Sequence, residues 1–390
     1  MAGDRRHGGH RLLPGRDVPR RRGKADPQIP DRQQLHRLHH PATAPRTITV
    51  QRLKKIRKEL YARKHALNTN FVRGKGHRKS GLQKAVETIN ERLERLKRYN
   101  LDIHICGDRN SYSKTDPDAT FMHMKEDHMK NGQLKPGYNV NTATVSAYIV
   151  GNYISADRTD TKTFIPFLKK LCSTYPVQRV VVDSGYESEE NYSYVDGSEQ
   201  LSLFVKPADH EQKKKRKYKT DIGRRENMAY DAEKDAYTCA QGKNLQAAAV
   251  KKRRSETGYV QEVTVYECAD CKGCPVKEQC IRQKKTDKKS LEDRVKRLNV
   301  SKYFIQQRKA MEKKISTAEG ILLRVNRSIQ AEGVFAAIKE DLNFRRFLTR
   351  GNANVTVEWY LVSMAYNILK LHHKIQTGRL GTHLFVPGAA

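Results

Sequence analysis

Between residues 137 and 204 the chain reads as two alternating strands, a helix, an apolar strand, a second helix and a further strand. That order restricts the region to a mixed α/β sheet, because a hairpin pairs locally while strands separated by helices return to a common sheet. GYNVNTATV and AYIVGNYIS supply the hairpin, residues 161–175 a helix and residues 178–183 the next strand; a short helix near Glu189 and the strand LSLFVKP follow. Three consecutive valines predict that the strand ending at Asp183 is fully buried. Carboxylates at the C-terminal ends of such strands face the crevice where α/β folds carry out chemistry, and Gly185 permits a turn directly after Asp183. The same spacing also suits a purely local role, in which Asp183 caps the turn that follows.

The flanking sequence is of a different kind. Residues 1–50 are rich in Arg, His and Pro, contain no aromatic residue and show no apolar period, so on their own they are predicted to be disordered. They read either as a basic arm that grips phosphates or as a wrong reading frame upstream of the true coding sequence. Residues 51–100 form a basic helical segment: Leu53, Ile56 and Leu60, then Leu82, Ala85, Ile89, Leu93 and Leu96, recur at helical spacing on either side of a break at 74–81. Residues 101–210 carry the first part of the α/β domain. A lysine run at 213–219 and a cysteine cluster mark 211–290 as an insertion, and 291–390 return to helical patterning with a break at 349–354.

With 76 Lys and Arg against 43 Asp and Glu among 390 residues, the formal charge is +33, which suits a polyanionic partner, nucleic acid foremost. No apolar window is long enough for a membrane span, and the basic N-terminus lacks the apolar run of a secretory signal, so a cytoplasmic protein is expected. In that reducing compartment the crowded cysteines favour metal thiolates over disulfides. Cys271, Cys274 and Cys280, with Cys268 or the distant Cys239 as fourth, could hold one structural Zn²⁺.

A second chemical segment is RSIQAEGVFAAIKEDLNFRRFLTRG. On a continuous helix Glu332, Phe335, Ala336 and Lys339 share one face, with Arg345 and Arg346 one to two turns later. A structural ion pair along the helix is the competing reading.

Taken together, these segments resemble the DDE transposases of bacterial insertion sequences, in the group numbered 1182 in insertion-sequence nomenclature. DSGYESEEN resembles the strand end that carries the second Asp of that group, and QAEGVFAAIKED the helix that carries its Glu. SKTDPDATFMHMK, KPGYNVNTATV and the late AYNILKL resemble three further elements, so that the likeness runs over about residues 100–375. The resemblance implies an RNase H-like mixed sheet with a cysteine-rich insertion and flanking basic helices. It also implies Asp183 and Glu332 as catalytic ligands of Mg²⁺ or Mn²⁺, and cleavage and transfer of DNA strands at transposon ends and target by a homo-oligomer. Lys339 matches the lysine that steadies substrate DNA, and Arg327 stands one residue from the usual arginine position; Arg345 and Arg346 add basic charge for DNA. The group's first Asp, in a D-G-T-K-I-E-A-like opening strand, has no match. By order it would fall within residues 1–50, which favours the out-of-frame reading of that stretch. Asp116 or Asp118 could substitute for it, or could serve as turn residues beside Pro117. Without a first Asp, the alternative function is that of a catalytically silent, DNA-binding transposase product.

Overall fold

The computed structural model describes residues 48–74, 76–123, 132–283 and 290–381. They fall into two compact units, divided between Leu101 and Asp102.

The first unit holds helix α1 (Val50–Ala66) and most of helix α2 (Gly81–Cys106). Thr49 caps α1 by accepting from the Arg52 amide, and the Ser80 hydroxyl accepts from Gln83 at the start of α2. Leu53, Val86 and Leu93 are its buried residues, so the buried stripe of α2 runs through Val86 rather than Ala85. Gln83, although polar, is also buried, because its side-chain amide pairs in both directions with the backbone of Val72 and satisfies itself on the incoming loop.

In the second unit the expected hairpin forms from β3 (Asn139–Val145) and β4 (Tyr148–Ser155), after a short pair β1 (Thr120–His123) and β2 (Leu134–Gly137). Helix α3 (Asp160–Cys172) leads to β5 (Arg179–Val182), helix α4 (Glu189–Asp196) and β6 (Ser202–Val205), and β5 pairs β6 in parallel. One expectation is corrected. Among the described residues the hairpin and the parallel pair are separate two-stranded sheets, not parts of one mixed sheet. The valines of β5 are only half-buried, whereas Leu203, Phe204 and Val205 of its partner β6 are buried.

The second unit also holds a five-stranded antiparallel sheet in the order β11-β10-β9-β8-β7. Its strands are β7 (Ala229–Asp231), β8 (Ala236–Thr238), β9 (Asn244–Arg254), β10 (Val260–Glu267) and β11 (Arg297–Val300). Leu245 and Tyr266 are completely buried in it, beside Tyr237, Cys268 and Cys271. The outer half of β9, with Lys251, Lys252, Arg253 and Arg254, is exposed.

Three long helices close the chain: α5 (Lys302–Ile315), α6 (Ala318–Ala336) and α7 (Asn352–Gln376). Met311 and Ile315 of α5 join Phe164, Leu168, Tyr192 and Leu203 in one core; Val334 of α6 and Val355, Trp359 and Tyr366 of α7 join Ile149 and Ile154 of β4 in another. The AYNILKL motif explains how α7 docks. Asn367 accepts from the Ile149 amide at 2.9 Å and donates to its carbonyl at 2.8 Å, so a side-chain amide satisfies the β4 backbone as a strand would. Trp359 donates to the buried Asn152.

The β3–β4 turn is strained. Both of its central residues, Ser146 and Ala147, have positive φ (51° and 67°), which a two-residue hairpin of this kind requires and which favours Asn or Gly. Three side chains hold it: Gln330 of α6 accepts from the Ala147 amide, while Tyr366 and Lys374 of α7 donate to the carbonyls of Ala147 and Ser146. Removing the Cβ relieves the strain, so Ala147→Gly is expected to stabilise the second unit by about 1 kcal/mol, read as an increase in the urea midpoint without a change in slope.

Candidate functional site

The segment DSGYESEEN is consumed almost entirely by interactions that shape the end of β5. Asp183 Oδ1 accepts from the Gly185 amide at 2.9 Å and caps the 3₁₀ turn Ser184–Tyr186. Asn191 donates to the Tyr186 carbonyl, and the Ser188 hydroxyl caps α4. Glu187 is buried and takes both arms of Arg308, the Tyr192 hydroxyl and the Ala208 amide, a set sufficient to hold a carboxylate away from water. Glu189, also buried, accepts from Tyr259, just before β10, and from Gln261 of β10. The Tyr186 hydroxyl reaches Asn141 on β3; burial, with the charges of Asp160 and Asp183 nearby, holds its pKa well above that of free tyrosine.

Asp183 thus caps a turn and still has an oxygen to offer. Its Oδ2 accepts from Arg327 of α6 at 3.2 Å, and the other guanidinium nitrogen of Arg327 lies 3.8 Å from Glu332 Oε1. One guanidinium therefore joins the two carboxylates that the sequence singled out. The site faces solvent, with the Asp183 side chain 38% and the Glu332 side chain 71% exposed, so Coulomb attraction there is strongly screened. Arg327, a residue out of place by family spacing, is the group that connects the pair.

A third carboxylate was not foreseen. Asp160, in the first turn of α3, accepts from the Asn139 side chain at 2.7 Å. A Cβ placed on Gly185 would lie 2.8 Å from Asp160 Oδ2 and 3.0 Å from Asp183 Oδ1. Gly185 is required there because two carboxylates crowd it, not for backbone freedom. The signal in the sequence was the glycine itself, read only as a turn former.

Other predicted residues have different surroundings. Asp116 accepts from the Tyr138 hydroxyl and the Gly351 amide, and Asp118 accepts from the Asn352 amide at 2.8 Å. Both carboxylates therefore face the N-terminus of α7, where the unpaired amides and the helix dipole favour negative charge. The helix bearing Glu332 does not continue regularly to Lys339. It ends at Ala336 and passes into a π-helical turn over Ala337–Asp341, so the single face expected for Glu332 and Lys339 is interrupted. Arg345 pairs with Glu340 at 2.7 Å, and both it and Arg346 are exposed.

Cys239, Cys268, Cys271, Cys274 and Cys280 line one small pocket with Lys243, Lys277 and Lys296, and all five are unpaired thiols. Burial and the neighbouring Cys271 push the Cys268 thiol up to about 11. The metal-binding group expected of them does not form: among the described residues no three His, Cys, Asp or Glu side chains are arranged to hold a metal ion. Cys268 and Cys271 are buried with Tyr237, Leu245 and Tyr266 in the hydrophobic core of the antiparallel sheet, and the partly buried Cys239 and Cys280 pack against it.

Residues 238–372 match the family described as "Transposase DDE domain". The matched stretch runs from β8 into α7 and includes Arg327, Glu332, Lys339 and all five clustered cysteines, while Asp183 precedes it. No curated protein and no solved structure matches the chain. Among the described residues no helix is long and apolar enough to cross a membrane.

The crowding at Gly185 makes a testable coupling. Gly185→Ala is expected to cost about 1 kcal/mol in unfolding free energy, since the added methyl forces the Asp160 and Asp183 carboxylates aside. Adding Asp160→Ala should recover part of that loss, so that the double variant is more stable than the sum of the single effects; strict additivity in urea unfolding would show that the two residues do not meet.

Proposed function

We propose that this chain is a DDE-class DNA transposase of the group numbered 1182, with an RNase H-like core, that cleaves and transfers DNA strands at insertion-sequence ends. The observation that carries this reading is the convergence of Asp183 and Glu332, from two separate motifs, on the guanidinium of Arg327. The matched transposase DDE domain supports it independently.

The donor set suits a hard divalent ion. The guanidinium is a cation already drawn to both carboxylates, and Mg²⁺ is commonly bound by one or two carboxylates completed by water and substrate phosphate. Asp183 and Glu332 are the residues that would hold Mg²⁺ or Mn²⁺, which supplies activation of the attacking oxygen and stabilisation of the leaving one. Arg327 keeps the two negative charges together before DNA arrives. Lys339, Arg345 and Arg346, close after Glu332 in the chain, provide positive charge for the phosphates of transposon end and target. The +33 charge of the chain supplies a general attraction to DNA. Action in the cytoplasm as a homo-oligomer on DNA belongs to the same proposal.

A second reading is favoured by a specific feature. Asp116 and Asp118 are engaged at the start of α7, and among the described residues the hairpin and the β5–β6 pair share no strand that could carry a first Asp. On that reading the chain binds transposon ends without cutting them. Both readings predict DNA affinity that falls steeply with salt, as Lys and Arg release counterions. Only the first predicts Mn²⁺-dependent cleavage of an end-bearing duplex, lowered at least about 100-fold by Asp183→Asn or Glu332→Gln with DNA affinity kept. Binding without cleavage by the unaltered chain supports the silent form.

A further inference from the structure

Helix α7 is apolar on two faces. One, through Val355, Trp359, Ser363 and Tyr366, is buried against the hairpin. On the other, Val357, Leu361, Met364, Ile368, Leu371 and Ile375 remain 43–66% exposed. A helix on the surface of a soluble unit ordinarily turns polar residues outward. Here the outward residues follow one another at four, three, four, three and four positions, the heptad spacing by which a second helix with the same period seats knobs into holes.

The pattern reads the same in both directions. Set against a reversed copy of itself about the level of Tyr366, the helix brings Val357 to Ile375, Leu361 to Leu371 and Met364 to Ile368 in three successive apolar layers. We infer that this face of α7 is the interface of an antiparallel, two-fold dimer of the chain.

Self-complementarity of this kind is what an isologous contact needs, since one patch must fit its own copy. Charge agrees. In a chain of net charge +33, the stretch from Val357 to Ile375 carries only Glu358, Lys370 and Lys374, so two copies meet along the face with least repulsion. Glu358 is already held by Leu348 and Thr349, and Lys374 by Ser146, which leaves the seam itself apolar. The six half-exposed apolar side chains and the flanking Tyr360 expose on the order of 600 Å² on each copy, an upper bound on the contact that falls at the small end of specific interfaces.

The test is sedimentation velocity on the full chain, treated with nuclease and held at high salt so that nucleic acid cannot bridge copies. The expected result is a concentration-dependent species of twice the 44.8 kDa chain mass. Met364→Glu/Ile368→Glu should weaken association at least 100-fold while leaving the circular dichroism spectrum unchanged. Met364→Leu/Ile368→Leu, which keeps the layer apolar, should still associate. Orientation is read by disulfide trapping in a Cys172→Ser background: Met364→Cys and Ile368→Cys chains should cross-link efficiently when mixed and poorly when either is alone. A chain that stays monomeric at tens of micromolar, or a dimer that survives the double glutamate substitution, overturns the proposal. Cross-linking of each cysteine variant chiefly to itself overturns the antiparallel arrangement.

Discussion

Helix α6 makes one site out of two strand pairs that share no backbone hydrogen bond. Among the described residues the hairpin β3–β4 and the parallel pair β5–β6 have no further strand on either edge, and α6 touches both. Its Gln330 holds the strained hairpin turn and its Arg327 holds Asp183 at the end of β5, one turn of helix from each other. Glu332 lies on the same helix, so its distance from Asp183 is set by the Arg327 contact. A shift of α6 along its axis by a single residue would move Gln330 off the turn and Arg327 off the carboxylate together.

The rest of the candidate site is held by groups that do no chemistry themselves. Glu187 with Arg308, Ser188 with the start of α4, and Asn191 with the Tyr186 carbonyl fix the path of the chain after Asp183. This ion pair is an expensive way to do this, because the buried Glu187 carboxylate loses its hydration, but leaving that carboxylate alone there costs far more. Such a pair specifies one geometry for the loop. Asp116 and Asp118 anchor the start of α7, and Asn367 fastens that helix to β4.

Much of this was legible in the sequence because it rests on local rules. Period-two alternation marked the hairpin, and three valines followed by Asp-Ser-Gly marked a strand that ends in a turn. What local rules did not carry was tertiary. Burial of β5 was overestimated, because apolar composition says what a strand could bury and not how much of it the fold encloses. The place of Arg327 was missed by counting along a helix from Glu332, when the contact runs across to another strand pair. Asp160 was missed because an Asp in the first turn of a helix is ordinarily explained by the helix dipole. The cysteines were gathered by their spacing, yet Cys268 and Cys271 pack as core thiols of the antiparallel sheet. The π turn at Ala337 changes a helical face by a register shift that no periodicity announces.

The central claim is that Asp183 and Glu332 act as one cation-binding pair. Mn²⁺ titration followed by electron paramagnetic resonance tests it without any appeal to catalysis, using the unaltered chain, Asp183→Asn, Glu332→Gln and the double variant. Two carboxylates that share an ion are not independent ligands. Each single substitution should therefore abolish nearly all of the affinity at the site, and the double substitution should add little. Two losses that simply add, or Mn²⁺ binding unaffected by either change, would contradict the account.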